Sequence, residues 1–287
     1  MSAFQSIDNF RVYSSPEVAE HYGSLNYLTP CERFLFDRYL TPGMAILDAG
    51  VGGGRTTPLL SSNAERYVGI DFSDAMVERC RARFPKLDFL VADASDLSAF
   101  TDRSFNAVVM AFNSADYIVP AERRWQCFSE CRRVLRPGGI LIFSSHNPRS
   151  VLVRPGWNPQ SVRSFAERLI SQSRVFFPLA VFAITVLKAM HASARAVAAS
   201  LGRVMQRTTK SVFWRGEGHL IDPAHGGLIT HYWIPRRVAA ELSGLGFHLE
   251  RIMGDDYPRR SWILTTDWYY YVFVKVNNSP DCEAPCA

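Results

Sequence analysis

Three aspartates close short apolar runs in the first third of the chain. Asp48 follows Ile46 and Leu47, Asp71 ends Tyr67-Val68-Gly69-Ile70, and Asp93 follows Phe89-Leu90-Val91-Ala92. Carboxylates accept hydrogen bonds, so a set at successive strand ends suits a ligand that offers hydrogen-bond donors. Gly50, Gly52 and Gly54 follow Asp48 at alternate positions, and backbone bare of side chains lets a flat ligand lie against the peptide plane. A phosphate cradle would instead ask for amide donors and a lysine, and no Gly-Lys-Ser/Thr loop is present. A dinucleotide fingerprint begun at Gly50 needs its third glycine at position 55, where Arg55 stands. Each aspartate alone reads equally well as a helix cap or a turn residue. Three in register do not.

The elements that must hold these residues follow from the pattern of apolar runs. Residues 105–112 (FNAVVMAF) give another strand, followed by the polar loop Asn113-Ser114-Ala115-Asp116-Tyr117, and Leu135-Arg136-Pro137-Gly138-Gly139 breaks a helix ahead of a strand over 140–144. Strands at roughly 20-residue spacing with helical segments between them describe an α/β fold, a doubly wound and mostly parallel sheet. Ligands of such open sheets bind beyond the carboxyl ends of the strands. The acids and glycines all fall there.

In DAGVGGG (48–54), VGIDFS (68–73), VADASDL (91–97), FNAVVMAFNS (105–114) and LRPGG (135–139), taken in that order, the chain resembles the class I S-adenosylmethionine-dependent methyltransferases. The resemblance covers roughly residues 40–148 and, more weakly, the last third. It implies a seven-stranded Rossmann-like sheet whose last two strands, over 247–253 and 268–276, form an antiparallel hairpin. It implies S-adenosyl-L-methionine as cofactor, with Gly50, Gly52 and Gly54 against its methionine part. Asp71 would take the ribose hydroxyls, Phe72 the adenine face, and Asp93 the adenine amino group beside the Ala94 amide. Asp48 and Asn113 complete the expected set. The segment from Tyr13 to Tyr22 resembles the Tyr-rich arm that folds over the cofactor in small-molecule methyltransferases, which would bring Tyr22 to the pocket. Ordinary amphipathic packing explains the same tyrosines.

Methyl transfer is an in-line displacement, so positioning suffices for a neutral amine acceptor, whereas a hydroxyl or acidic carbon calls for a base within hydrogen-bond reach. The candidates are Asp116 after the fourth strand, His146 after the fifth, and His231 before the last helix. His146 leads, because an imidazole titrates near neutral pH and this one sits at a strand's carboxyl end.

The segment 150–227 interrupts the pattern. Residues 175–187 (VFFPLAVFAITVL) are strongly apolar, yet too short for the roughly 20 residues that cross a bilayer. Leu187, Met190, Ala194, Val197, Leu201 and Val204 then recur at helical steps. Ten basic residues lie in 150–216 against one acid, Glu167, although the whole chain carries only +5. A helical lid with solvated arginines, a basic amphipathic element on an anionic membrane and a nucleic-acid surface all fit that asymmetry. Nucleic acid is disfavoured, because the loop after the fourth strand reads Asn113-Ser114-Ala115-Asp116 rather than the Asp/Asn-Pro-Pro-aromatic of amino-methylating enzymes of this class.

These readings divide the chain into an arm (1–40), a core (41–149 and 228–276), the helical insertion (150–227) and a disordered tail (277–287). Its 287 residues include six cysteines without a Cys-x-x-Cys pair or a zinc set. With no signal-peptide pattern at the start, a reduced, cytoplasmic enzyme without metal is expected, associated with membrane if the insertion is basic for that purpose. The expected acceptor is a small or lipid-like hydrophobic molecule. A nicotinamide-dependent reductase and a non-catalytic methyltransferase-like binding module remain as rivals; Arg55 opposes the first, the intact Gly50, Asp71 and Asp93 set the second.

Overall fold

A computed structural model describes residues 9–62, 64–148, 217–222, 228–261 and 266–276. The apolar and amphipathic runs of the insertion, all ten of its basic residues, and the tail lie outside the described residues.

Strand β1 (Ala45–Ala49) lies between β2 (Arg66–Asp71) and β4 (Phe105–Met110) and runs parallel to both. β3 (Asp88–Val91) extends the sheet beyond β2, and β5 (Leu135–His146) extends it beyond β4, again in parallel. The chain thus winds outward from β1 in one direction and then restarts at β4 in the other, which opens a crevice above their carboxyl ends. Alternate residues of β1 serve opposite faces. Leu47 joins Val68, Val108 and Phe143 in one apolar cluster, and Ile46 joins Tyr67, Val109 and Leu35 in the other, as a sheet covered on both faces requires.

The helices start at recognisable caps. Thr29 and Glu32 form a reciprocal capping box at α3 (Pro30–Tyr39), and the Ser73 hydroxyl accepts from the Met76 amide at the start of α5 (Asp74–Arg83). Ahead of α3 lie α1 (Asn9–Tyr13) and α2 (Pro16–Ser24); α4 (Thr57–Ser62) follows β1, and α6 (Ala121–Val134) precedes β5. α7 (Pro235–Gly244) leads to β8 (Phe247–Gly254) and β9 (Trp268–Lys275), an antiparallel pair with β9 inserted between β5 and β8. Tyr270 enters one core cluster and Tyr269 and Tyr271 the other, so the tyrosine run is core on both faces.

Three expectations need correction. Leu135-Arg136-Pro137-Gly138-Gly139 does not separate helix from strand, because α6 stops at Val134 and β5 begins at once, with Gly138 at φ +72° inside it. The segment 150–227 is not helical throughout: Glu217–Asp222 is a strand, β6. Its antiparallel partner β7 (Leu228–Trp233) forms with it a separate two-stranded sheet, so the core described as 228–276 starts only at α7. Trp233 at the end of β7 packs 6.0 Å from Phe128 and seats this small sheet on the main core.

Candidate active site

The loop after β1 is shaped by its glycines. Gly50 has φ +80°, and a Cβ there would stand 2.8 Å from Ser114 Cβ, so only glycine lets the loops after β1 and β4 meet. Gly53 packs so closely on the backbone of Gly23 that a Cβ would collide with it, which docks the end of α2 on this loop. Gly54 faces away from the ligand space, toward Phe84 and Cys80.

Asp71, at the end of β2, accepts from the Gly52 amide at 2.9 Å and from the Ser73 amide at 3.0 Å. Burial pushes its carboxyl up, against the pull of those donors. Asp48 is used differently. Its Oδ2 accepts from Thr56 Oγ1 at 2.7 Å and Tyr67 OH at 2.9 Å, and burial outweighs both and raises the group to about 6. Through these two partners it braces the loop, and it is not among the residues that line the two cavities over it.

Two cavities meet over the loop and share Gly50, Asp71, Phe72, Ser114 and Tyr117. The one toward α2 is walled by Tyr13, Tyr22, Gly52 and Phe112. The other, about 690 Å³, runs past Val91 to Asp93, Ala94 and Arg123, within the size range of small-molecule sites. Asp93 accepts from the Ser95 amide and hydroxyl at 2.8 Å each and pairs with Arg123. The arm forms the roof: Tyr13 lies 6.0 Å edge-on to Phe72 and 5.5 Å from Tyr117.

Arg55 proves structural as well as excluding the dinucleotide pattern. Its guanidinium grips Glu32 through two bonds of 2.6 and 2.5 Å, donates to the Tyr27 carbonyl, and lies 4.8 Å from the Phe112 ring centroid. Glu32 also accepts from Tyr270 OH at 2.6 Å. Burial raises the Glu32 carboxyl, but the Arg55 fork and the Tyr270 and Thr29 donors overcome it and hold it below the ordinary value. The pair ties the glycine loop to α3 and β9. Sequence offered no signal for it, since Arg55 and Glu32 stand 23 positions apart.

Beside Tyr117 lies a second polar group. Asp116 is fully buried and accepts from Ser145 Oγ (2.7 Å), the His146 amide (2.7 Å) and His146 Nδ1 (2.8 Å). Ser145 is held in turn by the Trp233 indole at 2.6 Å. His146 Nε2 meets Asn113 Nδ2 at 3.2 Å. The rings of Tyr117 and Tyr232 flank His146 at 6.0 and 5.1 Å. Asp116 is therefore a positioning group for His146. His231 does not reach the mouth as expected. It is fully buried between His219 and Trp233, with Nε2 3.7 Å from the Glu217 carboxylate, beyond hydrogen-bond distance.

Of the expected ligand residues, Tyr22, Gly50, Gly52, Asp71, Phe72, Asp93 and Ala94 thus line the joined cavities, and Asp48, Gly54, Asn113, Asp116, His146 and His231 do not. Tyr117, Ser114 and Arg123 were missed; only their position after β4 could have pointed to them.

Residues 47–143 match the family model described as a methyltransferase domain. A demethylmenaquinone methyltransferase of Clavibacter sepedonicus is 36% identical over 120 residues, 40% of this chain and 47% of that protein. A fatty-acid O-methyltransferase of Mycolicibacterium smegmatis is 30% identical over 140 residues, 47% of this chain and 48% of that one. The chain thus spans about half the length of these relatives. The structure of the CcbJ methyltransferase from Streptomyces caelestis superposes with a TM-score of 0.55 at 16% identity, covering 94% of this chain and all of that one, a likeness of fold. By matched domain, fold and cavity, residues 47–143 belong to the class I S-adenosylmethionine-dependent methyltransferases.

Proposed function

We propose that the chain transfers a methyl group from S-adenosyl-L-methionine to a small or lipid-like hydrophobic acceptor. The observation that carries this is the joined cavity over Gly50 and Asp71. Its chemistry fits the cofactor: glycine backbone for the amino-acid part, the Asp71 carboxylate for a ribose diol, and Phe72 with Asp93 for an adenine ring and its amino group. Bound there, the cofactor supplies a methyl group activated on a sulfonium sulfur. The chain's own residues bind and orient it, Tyr13 and Tyr22 cover it, and His146 stands ready to take a proton from an acceptor that must lose one. The aromatic surroundings of His146 favour an apolar acceptor, as do the quinone and fatty-acid names of the relatives.

Calorimetric titration with S-adenosylhomocysteine tests the cofactor assignment. Asp71→Ala should weaken binding at least tenfold, and equal affinity in the folded variant would refute it. Methyl-labelled cofactor incubated with protein and cell extract, followed by solvent partition, tests the acceptor; label confined to the aqueous phase or to macromolecules would overturn the hydrophobic reading.

Among the described residues no helix is long and apolar enough to cross a membrane. The basic excess of 150–216 supports contact with an anionic membrane surface. That reading fails if vesicles rich in anionic lipid sediment no more protein than neutral ones.

A further inference from the structure

Asn113 stands in the left-handed backbone region at the end of the chain turn after β4. It has φ +63° and follows Phe112 at φ +56°, two successive left-handed non-glycine residues. Its amide is buried, yet Oδ1 has no hydrogen-bond partner among the described residues. Its neighbours Phe112 and Ser114 line the cofactor cavity. A buried amide oxygen left unpaired is unfavourable unless a ligand supplies the missing donor.

The neighbouring imidazole is polarised in a defined sense. Every strong contact of the Asp116 carboxylate is a donor, and one of them is His146 Nδ1. The ring proton therefore sits on Nδ1, and Nε2 keeps its lone pair, to which Asn113 Nδ2 now donates. An acceptor nitrogen and an unpaired amide oxygen thus stand side by side behind the cavity-lining residues Phe112, Ser114 and Tyr117, with the rings of Tyr117 and Tyr232 flanking the imidazole.

Building on the methyltransferase reading, we propose that Asn113 and His146 dock an acceptor with an aromatic or enolic hydroxyl and a second donor next to it on the ring. The hydroxyl inserts between Asn113 Nδ2 and His146 Nε2, accepting from the first and donating to the second. Asn113 Oδ1 takes the adjacent donor. On transfer the hydroxyl proton passes to Nε2, the oxygen forms the bond to the methyl carbon, and the carbon–sulfur bond breaks with its electron pair left on sulfur. The imidazolium so formed faces the Asp116 carboxylate and loses its proton to solvent.

The test uses the full chain saturated with S-adenosylhomocysteine, whose own binding reports separately on the underlying reading. The probes are 2,3-dihydroxynaphthalene and its dimethoxy analogue, titrated by calorimetry. The diol should bind at least tenfold more tightly than the diether, and the gap should collapse in Asn113→Ala and in His146→Gln. Equal binding of the two probes, or a gap that survives both substitutions, overturns the proposal. Nitrogen-15 spectra of the unsubstituted protein provide a check that rests on no variant's affinity: at pH 8 the His146 signal, assigned by its loss in His146→Gln, should show a bare Nε2, and a protonated Nε2 overturns it.

Discussion

Asn9 and Ile229 are joined as two paired strands would be, although 220 residues separate them. The Asn9 amide donates to the Ile229 carbonyl at 2.7 Å and accepts from the Ile229 amide at 2.9 Å, and it also donates to the Tyr117 carbonyl. One side chain thus connects the arm over the cofactor cavity to the small β6/β7 sheet and to the turn that carries Tyr117. Asn9→Ala strands the buried Ile229 groups, at about 1–3 kcal/mol for each. Amide exchange at Ile229 should accelerate and S-adenosylhomocysteine should bind several-fold more weakly. Unchanged exchange would show that the arm and the small sheet are independent.

The Arg55–Glu32 pair is buried on both sides, with side-chain exposures of 7% and 0%. Removing one partner of such a pair costs about 3–5 kcal/mol, because the other charge is left stranded. Arg55→Met and Glu32→Gln should each lower the melting temperature by several degrees, and the double variant should lose less than the sum. Strict additivity in thermal melts would deny the coupling.

Gly53→Ala places a methyl group where the Gly23 backbone lies. The arm should be pushed off the loop, weakening S-adenosylhomocysteine about tenfold, or roughly 1.4 kcal/mol, while the sheet melts at nearly its original temperature. A full-strength site in this variant would place the α2 end outside the binding apparatus.

The β6/β7 sheet should respond to acid. Burial, the His231 ring and the Arg124 guanidinium push His219 down to about 4, and burial likewise lowers His231. An unfolded histidine titrates near 6.5, so between roughly pH 6.5 and 4 the unfolded chain takes up protons that the folded one refuses. Stability is present above that window and is lost as pH falls through it. Asp48 works in the opposite sense, since its raised value makes the fold gain stability as pH drops below about 6. His219→Gln isolates the histidine contribution, and melts between pH 7.5 and 4.5 should show a flatter decline in the variant.

What the sequence revealed and what it hid have physical reasons. Apolar runs with glycine or acid at their ends disclose parallel strands because both faces of such strands are buried, and the loops after β1, β2 and β3 carry their ligand groups within a few residues. The contacts of Asp48 with Thr56 and Tyr67 were not legible, because neither partner is marked by a pattern in the sequence. Asp116 and His146 were each singled out, but not as a pair, since 30 positions separate them and only the adjacency of β4 and β5 unites them. β6 was hidden although its partner β7 follows after five residues, because the core surface around Phe128 on which the small sheet packs is remote in sequence.

The arm has its own small apolar cluster, in which Val18 and Ala19 meet Met76, apart from the two clusters that build the sheet. Such a unit can come undone with a free energy far below that of global unfolding. A local melting of the first two helices would take Tyr13 and Tyr22 off the cavity while the sheet and its crevice stay formed.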